Sequence, residues 1–211
     1  MTDQELKDIL DILKKIMEIE APSPLKLSRR NPESMKCFLS SMKSKGVDTS
    51  KVEIKSIGSD HETGNEYGLF ATQDISQDEL ILSIPLSLMM TATQASISPS
   101  SDIGFLKDDP LIKDMSNLEL TMVLLNEYAR GKSSKWFDYM SILPERYDTP
   151  LYNVSLESLA QLKPSPVYQE SCKMIRNICR QYAYFWSRLH SHKNPGDLPA
   201  FRRNITFEMY R

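Results

Sequence analysis

The spacing of apolar residues predicts helices at both ends of the chain. Over residues 2–20, leucine, isoleucine and methionine recur at intervals of three and four, which is the pattern of an amphipathic helix. A second stripe of the same period predicts a helix that starts after Arg30 and ends before Gly46, since glycine commonly terminates helices. Four later segments have the same pattern: residues 116–131, 136–144, 155–162 and 165–190.

Between these helices the period changes from helix to strand. Val52 to Ile57 alternates apolar and polar residues, which predicts a half-exposed strand. Residues 67–91 predict three short strands, Leu69–Thr72, Leu80–Ile84 and Leu88–Thr91, with a polar turn at 74–78. Short strands flanked by helices on both sides predict an α+β fold.

Residues at the helix starts predict how the first backbone amides are capped. Ser116 and Glu119 have the spacing of a capping box. Ser155 and Thr206 each precede a helical pattern and are expected to cap it. Ser165 stands before a proline at the first helical position, which predicts a sharp start for the long helix.

Charge and composition exclude some classes of partner. The 26 basic and 28 acidic residues give a net charge of -2, which does not favour a broad surface for nucleic acid. No apolar run has the length of a membrane span or a signal peptide, so we expect no membrane partner. The cytoplasm is the expected location, with the nucleus second.

The cysteines and histidines predict neither a disulfide framework nor a metal site. The cysteines are odd in number and form no Cys-x-x-Cys pair, which fits a reducing compartment. Two of them lie seven residues apart on one helix, where we expect them to pack as small apolar side chains. The histidines lack the spacing and companions of a zinc site. These residues are Cys37, Cys172, Cys179, His61, His190 and His192.

Three stretches resemble a known protein family. Residues 67–91 contain YGLFAT, DI, EL, IP and LMMT in the order in which SET-domain protein methyltransferases carry them. The resemblance is to the branch that includes the Rubisco large-subunit methyltransferases and the actin-histidine N-methyltransferases. LPERYDTPLY at 143–152 and RQYAYF at 180–185 are similar to the actin-histidine enzymes in particular. The resemblance extends over residues 30–211.

The resemblance implies a domain organisation. Residues 1–60 would be a helical lead-in, 61–92 the first part of the SET core, 93–205 a large helical insert and 206–211 the start of a further helix. The family's later Asn-His segment, which binds adenine, and its later channel tyrosine have no counterpart, because the sequence contains no Asn-His dipeptide. We therefore expect a fragment without the second half of SET, without the helical substrate-binding domain and without catalytic residues.

The resemblance also implies which residues bind ligands. Asn65, Glu66 and Tyr67 fall in the segment that binds S-adenosylmethionine through backbone groups, and glycines on both sides would let the ligand approach closely. An arginine before the second helix contacts the cofactor carboxylate in the family, and Arg30 is the candidate here, one residue from the matching position. Arg180 matches an arginine that contacts the protein substrate. No metal ligand is implied.

The resulting hypothesis is a methyltransferase that uses S-adenosylmethionine and modifies a histidine side chain of actin, as a monomer when complete. Lysine methylation is the alternative reaction, because it uses the same cofactor. The alternative of another class is an inactive module that still binds actin or another protein. Neutral imidazole is already nucleophilic near neutral pH, whereas lysine must first lose a proton.

Overall fold

The computed structural model describes residues 3–20, 30–58, 66–91, 103–144, 156–191, 201 and 205–210. The chain divides into two units, one formed by Met1–Leu25 with Arg146–Arg211 and the other by Lys26–Glu145. The regular elements are α1 (Asp3–Ile19), α2 (Pro32–Ser44), β1 (Val52–Gly58), β2 (Glu66–Ala71), α3 (Pro110–Lys113), α4 (Ser116–Arg130), α5 (Phe137–Met140), α6 (Leu156–Gln161), α7 (Val167–Ser191) and α8 (Phe207–Tyr210).

The predicted helices are confirmed, and most of their ends follow the expected chemistry. The α4 helix ends at Gly131, whose φ of 52° is a conformation that favours glycine. At the start of α7, the Val167 amide donates to the Ser165 hydroxyl at 3.2 Å. Before α8, the Thr206 hydroxyl accepts from the Met209 amide at 3.4 Å. Ser155 lies outside the described residues.

The predicted capping box at Ser116 is wrong. Met115 occupies the N-cap position of α4, and no side chain caps the helix there. The pattern was shifted by one residue, because Ser116 already has helical backbone and its hydroxyl is no longer placed for the amides of the first turn. Instead, the Met115 carbonyl accepts from the amides of Leu118 and Glu119 at 2.9 and 3.2 Å.

The first unit is built on the contact of α1 with α7. On each helix, apolar residues recur at intervals of one or two turns and form one apolar face, as the periodicity predicts. The apolar faces of α1 and α7 pack against each other. Cys172 is buried and Cys179 is half-buried in this core, which confirms their packing role. Val167, the first residue of α7, is 54% exposed. The buried members of the two clusters are Leu6, Leu13, Leu159, Cys172, Ile175, Tyr182 and Phe207.

Glu20 lies directly after α1 and forms hydrogen bonds to both α7 and α8. Its carboxylate accepts a hydrogen bond from the Tyr182 hydroxyl of α7. Its second oxygen accepts from the Phe207 amide, the first of α8, at 2.9 Å. A carboxylate at that position also complements the positive end of the helix. Burial and the neighbouring Glu20 carboxylate raise the pKa of Tyr182 far above its ordinary value.

In the second unit, β1 and β2 form a two-stranded antiparallel sheet. The predicted strands at 52–57 and 69–72 are thus confirmed to within a few residues. Val52 pairs with Ala71 and Ser56 with Tyr67, and the register is irregular at Ile57, between Ser56 and Gly58. An extra residue of this kind increases the local twist and bends the strand.

The strands predicted at Leu80–Ile84 and Leu88–Thr91 are wrong. The first run makes a single bridge, between Ser83 and Asp48, and the second begins in a 3₁₀ turn at Leu86–Leu88. An apolar β-branched run becomes a strand only where a neighbouring strand pairs with it. The polar turn at 74–78 is confirmed, with Asp78 at a φ of 64°.

The second unit also exposes a concentration of apolar side chains in and after β2. Leu80 is 71% exposed and Leu86 is 61% exposed. Exposed apolar residues that follow one another along the chain commonly mark a surface for association. The other members of this set are Leu69, Phe70, Ile81, Ile84 and Met89.

The isolated 211-residue chain is therefore expected to self-associate. Replacing Leu80 and Leu86 together by serine should shift its elution in size-exclusion chromatography toward the monomer, because apolar contact area is lost. The control is Ile19→Ser, which changes a side chain in the first unit that is 83% exposed. A wild-type chain that elutes as a monomer and unfolds cooperatively would contradict this prediction.

Candidate cofactor site

The candidate site begins at the N-terminal end of β2. Glu66 and Tyr67 are its first two residues, and Asn65 lies outside the described residues. Because β2 pairs with β1 alone among the described strands, half of its main-chain groups face away from the sheet. Gly68 follows, and a Cβ there would lie 2.6 Å from Cδ1 of Ile57. This edge can therefore offer backbone hydrogen bonds to a ligand.

The structure brings Arg30 and Tyr67 together, although 36 residues separate them in the sequence. The Arg30 guanidinium carbon lies 4.7 Å from the centroid of the Tyr67 ring. At this distance the cation is attracted to the electron-rich face of the ring. The contact holds the guanidinium beside the first residues of β2. Two predicted site residues that are distant in sequence are therefore neighbours in the structure.

One polar atom of each side chain is buried and has no hydrogen-bond partner among the described residues. They are Nε of Arg30 and the hydroxyl oxygen of Tyr67. Buried donors and acceptors in native proteins are nearly always paired, with protein, water or a ligand. An unpaired atom on each of two stacked side chains is therefore a polar feature that a hydrogen-bonding group entering between neighbouring segments would satisfy.

Asn31, the residue after Arg30, caps a helix. Its side-chain oxygen accepts from the amides of Glu33 and Ser34, both at 2.9 Å, and the Ser34 hydroxyl accepts from the Asn31 amide at 3.0 Å. This reciprocal capping box starts α2. The Asn31 side chain is thus engaged in capping α2, and the neighbouring Arg30 is the side chain that contacts Tyr67.

A charged tether holds the segment after β2 against the start of β1. Lys51 Nζ lies 2.7 Å from the Glu79 carboxylate and donates to the Leu80 carbonyl at 2.7 Å. The Ser76 amide donates to the other Glu79 oxygen at 2.8 Å. The Lys51 hydrogen bond, followed by the Ser76 amide, lowers the pKa of Glu79 below its ordinary value. The tether fixes one end of the sheet, at the opposite end of β2 from Tyr67.

The residues of this site fit the polar part of S-adenosylmethionine. Nε of a guanidinium donates, and a carboxylate such as that of the methionine moiety is the acceptor it matches. The Tyr67 hydroxyl can donate or accept. The fit rests on the two unpaired buried atoms and on the open edge of β2.

Arg180 belongs to the first unit and lies on α7. Its side chain is exposed. Tyr182 and Phe185, within the same six-residue run, are buried in the core. The run at 180–185 thus contains two buried aromatic side chains and one exposed arginine.

Arg176 lies one turn before Arg180 on α7. Its Nε is buried and has no hydrogen-bond partner within the part of the chain that the structure describes. The signal in the sequence was the spacing of four between two arginines, which places both on one side of a helix.

The described residues contain neither a candidate metal cluster nor a candidate membrane span. Within the described ranges, no group of three or more His, Cys, Asp or Glu side chains is placed to hold a metal ion. Among the helices of the same ranges, none is both long enough and apolar enough to cross a bilayer.

Comparison with curated proteins shows what the chain is similar to. It is 39% identical to the actin-histidine N-methyltransferase of Danio rerio over 146 residues, which are 69% of this chain and 24% of that protein. The enzymes of Mus musculus and Gallus gallus are 36% and 34% identical over the same shares. The chain resembles the actin-histidine N-methyltransferases. It spans about a quarter of the length of these curated relatives. No protein-family model matches the chain.

Proposed function

We propose that this chain supplies part of the cofactor site and part of the substrate surface of a protein methyltransferase that uses S-adenosylmethionine. The proposed acceptor is a histidine side chain of actin. The observation that carries the proposal is the similarity to actin-histidine N-methyltransferases over 146 residues. The stacked Arg30 and Tyr67 support it independently, because they provide unpaired polar atoms beside the strand edge.

Arg30 would hold the carboxylate of S-adenosylmethionine, and Tyr67 would hold the guanidinium in place and add its hydroxyl. The open edge of β2 at Glu66 would add backbone hydrogen bonds. When bound, the cofactor supplies an electrophilic methyl group on its sulfonium. This chain's contribution is to bind and orient, and alignment of two reactants is a large source of rate in such reactions.

Histidine is favoured over lysine as the acceptor because of the name that the relatives carry and because of proton chemistry. A neutral imidazole nitrogen has a free lone pair near pH 7. A lysine amine has an ordinary pKa near 10.4 and must be deprotonated before it can accept a methyl group.

A protein-binding module is the second candidate function. The exposed Arg180, next to buried aromatic residues that fix its helix, favours it, because such a surface binds a partner whether or not methyl transfer follows. The two functions differ in the product, since binding alone leaves actin unmodified.

The test is methyl transfer by a fusion of residues 1–211 to the remaining part of the Danio rerio relative. Purified actin is incubated with S-adenosylmethionine and the fusion, and peptides are sequenced by mass spectrometry. The expected result is one methyl group on a histidine, and no product with the 211-residue chain alone. A methyl group found on lysine instead would show that lysine, and not histidine, is the acceptor. Binding of actin without methylation by a folded fusion would support the binding module and overturn the enzymatic proposal.

A further inference from the structure

A surface cavity lies in the first unit, where α1, α6 and the start of α7 meet. Its volume is about 300 Å³. Side chains of all three helices and of the turn after α6 line it. Sites for small molecules have volumes of about 300 to 1,000 Å³, so this cavity is large enough for a compact organic molecule.

The floor of the cavity is apolar. Leu6 and Leu159 are buried and belong to the core that α1, α6 and α7 share. Tyr168 is half-buried and packs against the same core, so its ring forms one wall. Ala160 contributes only a methyl group to the lining, which leaves the space beside α6 open. An apolar group that enters the cavity would be removed from water, and this burial favours binding.

The remaining lining residues are polar, and the two charged ones are lysines. Lys7 and Lys163 both line the cavity and are both exposed. The Lys163 Nζ lies 5.9 Å from the centroid of the Tyr168 ring, so its ammonium group is attracted to the aromatic wall. Gln4 Nε2 donates to the Asp8 carboxylate at 2.7 Å, and Asp8 is outside the lining. Among the described residues, no acidic side chain lines the cavity. The cavity therefore favours an anion.

We propose that this cavity binds a small organic carboxylate with an apolar body, such as an arylalkanoate or a medium-chain fatty acid. The apolar body would lie on Leu6 and Leu159, beside the Tyr168 ring. The carboxylate would accept hydrogen bonds from the ammonium groups of Lys7 and Lys163, each of which has three donors. An inorganic anion would not use the apolar floor, and a neutral apolar molecule would gain nothing from the two charges.

This site goes beyond the proposed function. It shares no residue with the candidate cofactor site and does not depend on methyl transfer. A ligand in the cavity would contact α1, α6 and α7 together. Because it would bind the folded first unit and not the unfolded chain, it should also raise the midpoint temperature of unfolding as its concentration rises.

The test is binding of phenylbutyrate to the 211-residue chain, measured by saturation-transfer NMR. The signal is read from the phenyl protons of the ligand, so self-association of the chain does not prevent the measurement. A molecule of this size is expected to bind in the millimolar range or more tightly. The neutral phenylbutyramide should bind about fivefold more weakly, because it lacks the ion pairs. Inorganic phosphate at the same concentration should not displace phenylbutyrate.

Variants separate the apolar floor from the charges. Ala160→Phe should remove binding, because the added ring fills the cavity. Its control is Gln161→Phe, which adds the same ring at an exposed position outside the lining and should bind as wild type does. Lys7→Gln and Lys163→Gln should each weaken binding by about two- to fivefold, the range of an exposed ion pair. Lys14→Gln, at an exposed position of α1 outside the lining, should have no effect.

Four results would overturn the inference. They are no saturation transfer to phenylbutyrate in the wild-type chain, equal binding of the acid and its amide, equal affinity of Ala160→Phe and Gln161→Phe, and an equal loss in all three lysine variants. Tighter binding of an acidic peptide that contains phenylalanine would also overturn it, since the cavity would then belong to a protein partner. Circular dichroism shows whether each variant is folded. If Ala160→Phe is not folded, the lysine variants and the amide still decide the outcome.

Discussion

Replacing Arg30 by alanine is expected to weaken the binding of S-adenosylmethionine by about one to two orders of magnitude. A hydrogen bond to a charged group is worth about 1.5 to 3 kcal/mol, and each 1.4 kcal/mol is a factor of ten in the dissociation constant. The substitution also removes the cation that lies 4.7 Å from the Tyr67 ring. Isothermal titration calorimetry on the fusion with the relative's remaining part measures the effect.

Three further variants define the mechanism of that loss. Arg30→Lys keeps the charge without the planar donor set and should give an intermediate loss. Tyr67→Phe removes only the hydroxyl, whose buried oxygen has no partner among the described residues, and should cost about tenfold if the ligand bonds it. Lys36→Ala, an exposed residue of α2, is the control. Unchanged affinity in Arg30→Ala would remove Arg30 from the site.

The second large effect is expected from Glu20→Ala, which should lower the free energy of unfolding of the first unit by about 2 to 4 kcal/mol. The carboxylate accepts from the Tyr182 hydroxyl and from the Phe207 amide. Each hydrogen bond to a charged group contributes about 1.5 to 3 kcal/mol, and removal leaves two donors unpaired in a partly buried place. Urea unfolding followed by tyrosine fluorescence and circular dichroism measures the change.

Glu18→Ala is the matched control for Glu20→Ala. It removes the same charge two residues earlier, where the side chain is exposed, and should change stability by less than about 0.5 kcal/mol. Tyr182→Phe should recover part of the loss when combined with Glu20→Ala, since it removes one unpaired donor. Equal stability of Glu20→Ala and Glu18→Ala would show that the Glu20 hydrogen bonds to α7 and α8 contribute nothing to the free energy of unfolding.

The helices could be predicted from the sequence because their signals are local. The apolar period of α1 and of α7, the glycine after α4 and the serine before α7 each act within a few residues. The strands show the limit of such reasoning. The run at 80–84 has the composition of a strand, but pairing depends on a neighbour that is distant in sequence.

The candidate site was predicted in part. The resemblance pointed to Tyr67 and Arg30, but nothing local to either residue predicts that one stacks on the other, since the fold of the second unit brings them together. The role of Asn31 could have been read from the sequence, because an asparagine followed by proline and, at the third position, serine is a helix start. The division of the chain into lead-in, SET core and insert stays a prediction.

The most direct test of the account is hydrogen exchange of the fusion with and without S-adenosylmethionine, read by mass spectrometry of its peptides. Binding at the proposed site should slow exchange in the peptides that contain Arg30 and the start of β2, because bound ligand suppresses local opening. Peptides from α7 should be unchanged. Protection that spares residues 30–35 and 66–71 while the ligand is bound would contradict the assignment of the cofactor site to Arg30 and Tyr67.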